Sequence, residues 1–394
     1  MKLIRNIETF APEPMGLTDL LVAGGRIVHL GASLGQLSIP GLEIIDGRGL
    51  FAFPGFIDGH VHILGGGGEG GFATRTPELM LSDVIQGGVT SLVGCLGTDG
   101  ITRTLASLIA KARGLEEEGI STWVFSGSYG IPVVTVTGGI ESDLLLIDKI
   151  LGVGEVAVSD HRSSQPTHEA LCHLVAETRR GGMLSGKAGL VNFHLGDGPR
   201  GLAPLWRILQ DTEIPASQML PTHINRNPLL LAEGVAYALA GGLIDLTSSA
   251  PPPEAGSSQI PAAQALKKIL DEGVPLERVT MTSDGQGSLP EYDAAGRFSG
   301  MGVGKVRSLF DAFRDAVRVE GIPLPTALLP FTANPARILK LRGKGHLAMG
   351  QDADLVLVDR GTLELHTVIA KGRTLMSAGE LKARGTFERA SEVR

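Results

Sequence analysis

The stretch Pro54-Gly55-Phe56-Ile57-Asp58-Gly59-His60-Val61-His62 ends a short apolar run with two histidines that are one residue apart. Alternate side chains of a β-strand point to the same face, so His60 and His62 can bind one metal ion together. A His-x-His pair alone is weak evidence for a metal site. Its significance depends on whether similar residues end the other strands of the chain.

The composition favours an α/β enzyme. The chain has 394 residues, of which 43% are hydrophobic and 55 are glycine, and its formal net charge is −7. This length allows one large α/β barrel or two to three smaller domains. The negative charge and the lack of a basic block argue against nucleic acid as a partner.

The cysteines and the apolar runs predict the compartment. Cys95 and Cys172 are the two cysteines, and both lie in apolar sequence, which argues against a disulfide framework and a thiolate metal site. The first residues run into Glu8 without the apolar core of a signal peptide. No apolar run approaches the length of about 18 residues that spans a membrane. We therefore expect a soluble, cytoplasmic protein without a membrane partner.

The middle of the chain alternates strand-like apolar runs with amphipathic stretches, such as 101–118, 168–180 and 259–272. Eight strands are predicted, at residues 56–63, 89–96, 121–126, 155–159, 190–195, 219–224, 243–247 and 279–282. Eight repeats of strand and helix are typical of a closed (β/α)8, TIM-like barrel, which we assign to residues 54–345.

Both ends of the chain contain short strands. Two β-rich runs flank Gly24-Gly25, which predicts a hairpin, and the runs 43–46 and 50–53 add two strands. After the barrel, strands are predicted at 353–358 and 367–370. Because neither end has enough apolar surface for its own core, we expect residues 1–53 and 346–394 to form one composite β-sandwich domain. Two separate β caps are the alternative.

The predicted strand ends carry imidazole and carboxylate groups, at the place where barrel enzymes hold their catalytic residues. These candidate metal ligands are His60, His62, Glu155, His194, His223 and Asp284. Such side chains bind zinc and similar divalent ions, and six are enough for two ions that share a bridging ligand. A pair of ions lowers the pKa of a bridging water and polarises a carbonyl oxygen, as amide hydrolysis requires. In the alternative interpretation, a backbone carbonyl satisfies each histidine singly.

The order His-x-His, carboxylate or lysine, His, His, Asp on a barrel resembles the amidohydrolase superfamily. Longer motifs resemble the isoaspartyl (β-aspartyl) dipeptidase family within it. These motifs are Gly65-Gly66-Gly67-Gly68-Glu69, Gly97-Thr98-Asp99, Ser159-Asp160-His161-Arg162, Leu220-Pro221-Thr222-His223-Ile224-Asn225-Arg226-Asn227 and Thr282-Ser283-Asp284-Gly285-Gln286-Gly287-Ser288. The resemblance covers nearly the whole chain, including the divided β domain.

The resemblance implies hydrolysis of the β-linked amide bond of isoaspartyl dipeptides by a metal-bridging hydroxide. His60, His62 and Asp284 would hold one divalent ion, and His194 and His223 would hold the other, with zinc as the expected metal. Asp284 would also act as general base and general acid, taking a proton from the hydroxide and passing it to the leaving amine.

The resemblance also implies a partner for each polar group of the substrate. Tyr129 would donate a hydrogen bond to the developing oxyanion. Glu69 would bind the ammonium group, and Arg162 and Arg226 would bind the carboxylates through paired hydrogen bonds. The remaining substrate-binding residues would be Gly67, Gly68, Thr98 and Ser288. Alternatively, Tyr129 is a structural phenol, and the three charged residues form ordinary surface contacts.

One predicted ligand departs from the family. The family has a carboxylated lysine on strand four, where this chain has Glu155; Lys149, in a predicted helix, and Lys187 are misplaced for that role. We expect Glu155 to bridge the two ions directly, with no carboxylated lysine. The alternative is a single metal ion with Glu155 as a bystander.

Two other functions stay open. The chain could be another amidohydrolase, either a cyclic-amide hydrolase or an N-acyl-amino-acid deacylase, or it could be an inactive barrel with a structural role. The expected partner is a small dipeptide, and the family resemblance implies a homo-oligomer as large as an octamer.

Overall fold

The computed structural model describes residues 1–249, 258–292 and 297–388 of the chain. The N-terminal strands are β1 (Lys2–Phe10), β2 (Pro14–Ala23), β3 (Arg26–Gly31), β4 (Glu43–Asp46) and β5 (Leu50–Pro54). The next eight strands are β6 (Phe56–Val61), β7 (Val89–Gly94), β8 (Ser121–Ser126), β9 (Ile150–Val158), β10 (Val191–Leu195), β11 (Met219–Thr222), β12 (Ile244–Thr247) and β13 (Val279–Thr282). A hairpin, β14 (Ser288–Tyr292) and β15 (Phe298–Val303), follows. The last strands are β16 (Leu355–Asp359), β17 (Leu365–Ala370), β18 (Arg373–Ser377) and β19 (Glu380–Leu381).

The strands β6 to β13 form a curled parallel sheet. Strands β6 to β11 pair in sequence order, and β12 pairs with β13. Strand β12 lies beside β11, and β13 lies beside β6, where the backbone N–H of His62 donates to the carbonyl oxygen of Gly285 at 2.9 Å. The mixed α/β class is therefore confirmed, and the strand order around the ring is the one expected for a TIM-like barrel.

Strand β9 differs from its prediction. It begins at Ile150, so Glu155 lies within the strand, and Lys149 lies in the preceding turn instead of a helix. The glycines at 152 and 154 made this segment resemble a loop. In the structure they allow β10 to approach closely, because a Cβ atom on Gly154 would lie 2.8 Å from the Cβ atom of Asn192.

The helices follow the strands as the alternating pattern predicts. They are α1 (Leu81–Gln86), α2 (Leu105–Glu118), α3 (Ile140–Leu146), α4 (His168–Ser185), α5 (Ala203–Asp211), α6 (Pro228–Leu239), α7 (Ala262–Asp271), α8 (Arg307–Arg318), α9 (Leu324–Leu328) and α10 (Ala333–Ile338). Threonine caps begin α2 and α4, since the hydroxyl of Thr104 accepts from the N–H of Ser107 and that of Thr167 from the N–H of Ala170. Within the described part of the chain, none of the helices has the length and apolar character needed to cross a membrane.

Strands from both chain ends lie in one nine-stranded sheet. Its order is β19-β18-β17-β16-β5-β1-β2-β3, with β4 paired to β1. The two ends meet where β5 and β16 pair antiparallel, and the predicted hairpin is present as β2 and β3. The division into a barrel domain and a composite β-sandwich domain stays a prediction, and residues 389–394 lie outside the described residues.

The amino end of β6 is anchored by aromatic packing. The ring of Phe56, the first residue of β6, lies 5.3 Å from the rings of Phe313 and Phe331 between centroids. Inward-facing side chains such as Ile57 and Phe125 fill the interior beneath the opposite ends. This packing leaves the carboxyl ends of the strands for polar side chains.

Candidate metal centre

The predicted ligands converge at the carboxyl ends of the barrel strands. His60 lies in β6 and His62 directly follows it, and both are buried. His223 directly follows β11, and Asp284 lies two residues after the end of β13. Their backbones have φ angles of 64° and 53°. Left-handed backbone is uncommon for residues other than glycine, and here it occurs at two candidate ligands.

The carboxylate of Glu155 lies between the two pairs of histidines. Its Oε1 is 3.2 Å from Nε2 of His62, and its Oε2 is 3.0 Å from Nδ1 of His194. Oε2 is also 3.4 Å from Nε2 of His60 and 3.8 Å from Nε2 of His223. One side chain thus reaches both groups, as a bridging ligand must.

Two buried atoms of this cluster support metal binding. Among the described residues, neither Nε2 of His60 nor Oδ1 of Asp284 makes a hydrogen bond, although Oδ1 lies 3.1 Å from Nε2 of His62. Leaving buried polar atoms unpaired costs roughly 1–3 kcal/mol each, so such atoms call for a ligand. Glu155 belongs to two groups whose potential ligand atoms lie within 4.8 Å of one another, one with His60, His62 and Cys95 and one with His194 and His223. These donors fit two divalent ions.

Cys95 lies beside the cluster, which its sequence neighbours did not indicate. Its apolar neighbours argued against a metal role, yet Sγ lies 3.9 Å from Nδ1 of His62 and faces the cluster. Cys95 belongs to the apolar cluster that fills the barrel interior, and its sulfur borders the candidate ligands.

Three further side chains, which had no predicted role, hold the candidate ligands in place. Oδ1 of Asn192 is 2.9 Å from Nδ1 of His60, and Oγ1 of Thr247 is 2.7 Å from Nδ1 of His223. Oδ2 of Asp160 is 3.0 Å from Nε2 of His194. Such contacts fix the orientation of a metal-binding imidazole. Asp160 lies in a quoted motif, but only the three-dimensional distance reveals its contact.

Burial and neighbouring charges determine which groups are ionised. Burial would raise the pKa of Glu155, but its interactions with His60 and His194 hold it well below its usual value. Burial lowers the pKa of His223 to about 3, so its imidazole is neutral, as metal binding requires. Burial and the charge of Glu155 raise the pKa of Tyr129 well above its usual value, so this phenol keeps its proton.

A cavity of about 710 Å³ opens over the cluster. Among its lining residues are the predicted substrate-binding residues Gly67, Glu69, Thr98, Tyr129, Arg162, Arg226 and Ser288. Gly68 lies beside them in the loop, with a φ angle of 105°. The hydroxyl of Tyr129 is 2.9 Å from Nδ1 of His194, directly over the candidate ligands.

The two arginines of the cavity have different surroundings. Arg162 donates two hydrogen bonds to Asp160, at 3.0 and 2.7 Å, and a third to Glu69 at 3.3 Å. Glu69 also accepts from the hydroxyl of Thr98 at 2.8 Å. In contrast, the buried Nε of Arg226 has no partner within the described segments. Arg226 is therefore the less engaged cation over the cluster.

A buried arginine fixes the loop that carries Glu69. Arg103 is 5% exposed and donates to the carbonyl oxygens of Leu64 at 3.0 Å and Thr76 at 3.3 Å, on either side of this loop. These bonds explain why a glycine-rich loop holds a carboxylate at a defined place above the cluster.

Two curated proteins are similar over part of the chain, and a family model matches its last third. Residues 247–380 match the amidohydrolase family model. N-acyl-D-aspartate deacylase from Alcaligenes xylosoxydans xylosoxydans is 44% identical over 79 residues, which are 20% of this chain and 14% of that protein. Dihydroorotase from Leifsonia xyli subsp. xyli is 30% identical over 129 residues, which are 32% of this chain and 26% of that protein. The matched regions thus span about a quarter or less of these two relatives.

A solved structure is similar over nearly the whole length. It is β-aspartyl dipeptidase from the thermophilic, keratin-degrading Fervidobacterium islandicum AW-1, in complex with β-Asp-Leu dipeptide. It shares 49% identity with this chain, covers 97% of each chain and superposes with a TM-score of 0.90. The chain belongs to the β-aspartyl dipeptidase family of the amidohydrolase superfamily.

Proposed function

We propose that this protein hydrolyses the β-linked amide bond of isoaspartyl dipeptides at a centre of two divalent metal ions. The observation that carries the proposal is the full-length similarity to an enzyme that binds β-Asp-Leu, at 49% identity. The cluster of four histidines and two carboxylates beneath a polar cavity supports the same chemistry.

The ligands divide into two groups that share Glu155. His60, His62 and Asp284 would hold one ion, and His194 and His223 would hold the other. When bound, the ions supply an activated water and polarisation of the scissile carbonyl. Glu155 provides the two carboxylate oxygens and the single negative charge of a carboxylated lysine. Gly154 supports this substitution, because it lets strand β9 lie close to Asn192 of β10.

The chain's own side chains move the proton and stabilise charge. Asp284 accepts the proton of the attacking water and donates it to the leaving amine. Its carboxylate form supports this role, since its contacts with His62 and nearby histidines overcome burial and lower its pKa to about 2. Tyr129 keeps its proton and donates a hydrogen bond to the oxygen of the scissile carbonyl as negative charge develops.

The cavity residues select a substrate with an ammonium group and two carboxylates. Glu69 binds the ammonium, and Gly67 and Gly68 let the backbone approach it. Arg226 binds a carboxylate through its unpaired face, and Arg162, held by Asp160, binds the other. Thr98 orients Glu69, and Ser288 completes the wall of the cavity.

Steady-state kinetics of the zinc-loaded protein test this proposal. We expect kcat/KM for β-Asp-Leu to exceed that for α-Asp-Leu, dihydroorotate and N-acetyl-D-aspartate by about 100-fold or more, because unpaired charged groups disfavour the wrong substrates. The variant Arg226→Lys keeps the charge but loses the paired geometry, and it should raise KM for β-Asp-Leu. Equal or higher kcat/KM for α-Asp-Leu would contradict the proposal.

Deacylation of N-acyl-D-aspartate is the second candidate. The 44% identity to an N-acyl-D-aspartate deacylase over 79 residues favours it. Such a substrate lacks the free ammonium that Glu69 would bind. If Glu69→Gln reduces hydrolysis of β-Asp-Leu and leaves N-acetyl-D-aspartate unaffected, the dipeptide is the better match to this cavity.

Several finer expectations stay predictions. They are zinc as the native ion, the homo-oligomer, the cytoplasmic location, and the division between a barrel at residues 54–345 and a β-sandwich of the two chain ends. Elemental analysis of the purified protein and light scattering test the first two.

A further inference from the structure

We propose that Cys95 is a thiolate ligand of the metal centre and acts with Glu155 where the family has a carboxylated lysine. The inference deepens the proposed function, because it concerns the same two-metal site. It rests on the position of Sγ, which lies within 4.8 Å of the potential ligand atoms of His60, His62 and Glu155.

The sulfur of Cys95 reaches the cluster from the end of a strand, as the histidines do. Cys95 follows the last residue of β7, and like Val93 two positions earlier it belongs to the cluster that fills the barrel interior. Its backbone N–H donates to the carbonyl oxygen of Val61 at 3.0 Å, between His60 and His62. The side chain is 0% exposed. Strand pairing therefore fixes the sulfur next to His60 and His62.

The buried imidazole of His60 is a second observation that points to a ligand at this place. His60 is 0% exposed, and its Nε2 has no hydrogen-bond partner in the described part of the chain. This atom lies in the same group of potential ligand atoms as Sγ of Cys95. Imidazole and thiolate are both ligands of zinc and cobalt, and a buried imidazole nitrogen without a partner beside a buried sulfur is typical of such a site.

Because Glu155 stands where the family has a carboxylated lysine, a second anionic donor would help to hold the ions. A carboxylated lysine reaches farther than a glutamate, so Glu155 has a shorter reach between the two histidine pairs. A thiolate on the neighbouring strand adds a donor on the side of His60 and His62. Gly97 keeps this space open, because a Cβ atom there would lie 3.0 Å from Cε1 of His62 and 3.5 Å from Oε1 of Glu155.

Ligation by Cys95 is a simple exchange of a proton for a metal ion. The S–H bond breaks, the proton passes to the solvent, and an electron pair of sulfur forms the bond to the ion. No oxidation occurs. The competing role is a positioning thiol that contacts Nδ1 of His62 at 3.9 Å and never binds the ion.

Cobalt spectroscopy separates the two roles. Metal-stripped protein would be loaded with two equivalents of Co²⁺, and its near-ultraviolet absorption would be recorded. A thiolate ligand gives an intense sulfur-to-cobalt charge-transfer band, whereas nitrogen and oxygen ligands do not. We expect the band in the unmodified protein and its loss in Cys95→Ser and Cys95→Ala.

Cys172→Ser is the matched control. Sγ of Cys172 lies 3.4 Å from Nε2 of His168, which is 3.1 Å from Oδ2 of Asp211, so this surface group is another place where cobalt could meet sulfur. The band should persist in Cys172→Ser. The affinity of Cys95→Ala for cobalt should fall by more than the roughly 10–100-fold loss that follows removal of an outer contact.

The absorption spectra of the cobalt-loaded proteins test the proposal without an activity assay. A cobalt-loaded protein without the band, or a band that survives in Cys95→Ala and disappears in Cys172→Ser, would overturn it. Folding of each variant is checked by circular dichroism, and the spectrum of the unmodified protein requires no variant. A protein that shows the band but does not cleave β-Asp-Leu would refute the proposed substrate and leave Cys95 as a ligand.

Discussion

The two ends of strand β6 differ in the contacts of their buried side chains. At its amino end, Phe56 is fully buried and its ring lies 5.3 Å from those of Phe313 and Phe331. At its carboxyl end, His60 is equally buried, but Nε2 has no partner among the described residues. The first end stabilises the fold through packing. The second keeps a polar atom unpaired, which costs stability and has a reason only if a ligand binds there.

The same contrast holds for charges around the barrel. Below the amino ends, the buried ammonium of Lys344 is paired, with Asp352 at 2.8 Å and the hydroxyl of Ser121 at 2.7 Å. At the carboxyl ends, Asp284 combines a left-handed backbone with an Oδ1 that makes no hydrogen bond within the described residues, although it lies 3.1 Å from Nε2 of His62. Substitutions at the two ends should therefore separate effects on turnover from effects on stability.

The largest expected effect on turnover comes from Glu155→Gln. The change keeps the volume but removes the charge shared by both histidine pairs, so we expect kcat/KM to fall by about three orders of magnitude. Metal analysis should show the loss of one ion or both. Glu116→Gln, which removes a carboxylate bound to Lys149 and Lys371 near the amino ends, is the control and should keep its turnover. Full activity of Glu155→Gln would end the bridging hypothesis.

Tyr129→Phe should have the next largest effect. Without the phenol, the developing oxyanion loses one donor, and kcat should fall by about 10²–10³-fold. The metal content and KM should change little, because the ring remains and the ligands are untouched. A variant with normal kcat would assign Tyr129 a purely structural role.

A smaller effect is expected from Asp160→Asn. Asp160 contacts Nε2 of His194 and holds Arg162, so the substitution loosens one ligand without removing it. We expect the affinity for metal to fall by about 10–100-fold. Activity should recover when excess zinc is added, which equilibrium titration and kinetics can follow together. If zinc titrates identically in the variant, the contact has no role in metal binding.

The smallest effect on turnover is expected from Phe56→Ala. Loss of this ring should cost about 3–5 kcal/mol of stability, seen as a lower denaturation midpoint. The fraction that stays folded should bind metal and turn over substrate normally. Loss of bound metal at temperatures where the variant is still folded would show that the two ends of the barrel are not independent.

The sequence predicted the parallel strands because alternation of strands and helices is a local pattern. All eight parallel strands are present, and the histidines were found because each ends or follows an apolar run. Strand β9 was placed too late, since Gly152 and Gly154 resemble a loop unless their close contact with β10 is known.

The contacts between distant strands could not be predicted. Cys95 was assigned to apolar packing because its sequence neighbours are apolar, and its proximity to His62 depends on the pairing of β6 with β7. Asn192 and Thr247 carry no motif at all. Each of them contacts one histidine from another strand, and these contacts form only when the strands assemble.

Anomalous diffraction from crystals of the zinc-loaded protein tests whether Glu155 bridges two ions. We expect two zinc peaks, with one oxygen of Glu155 bound to each and no modification of Lys149 or Lys187. Metal-stripped protein should also regain activity with zinc alone, to the same level as with zinc and bicarbonate, because no lysine has to be carboxylated. A single peak, or two peaks with Glu155 bound to neither, would contradict the account.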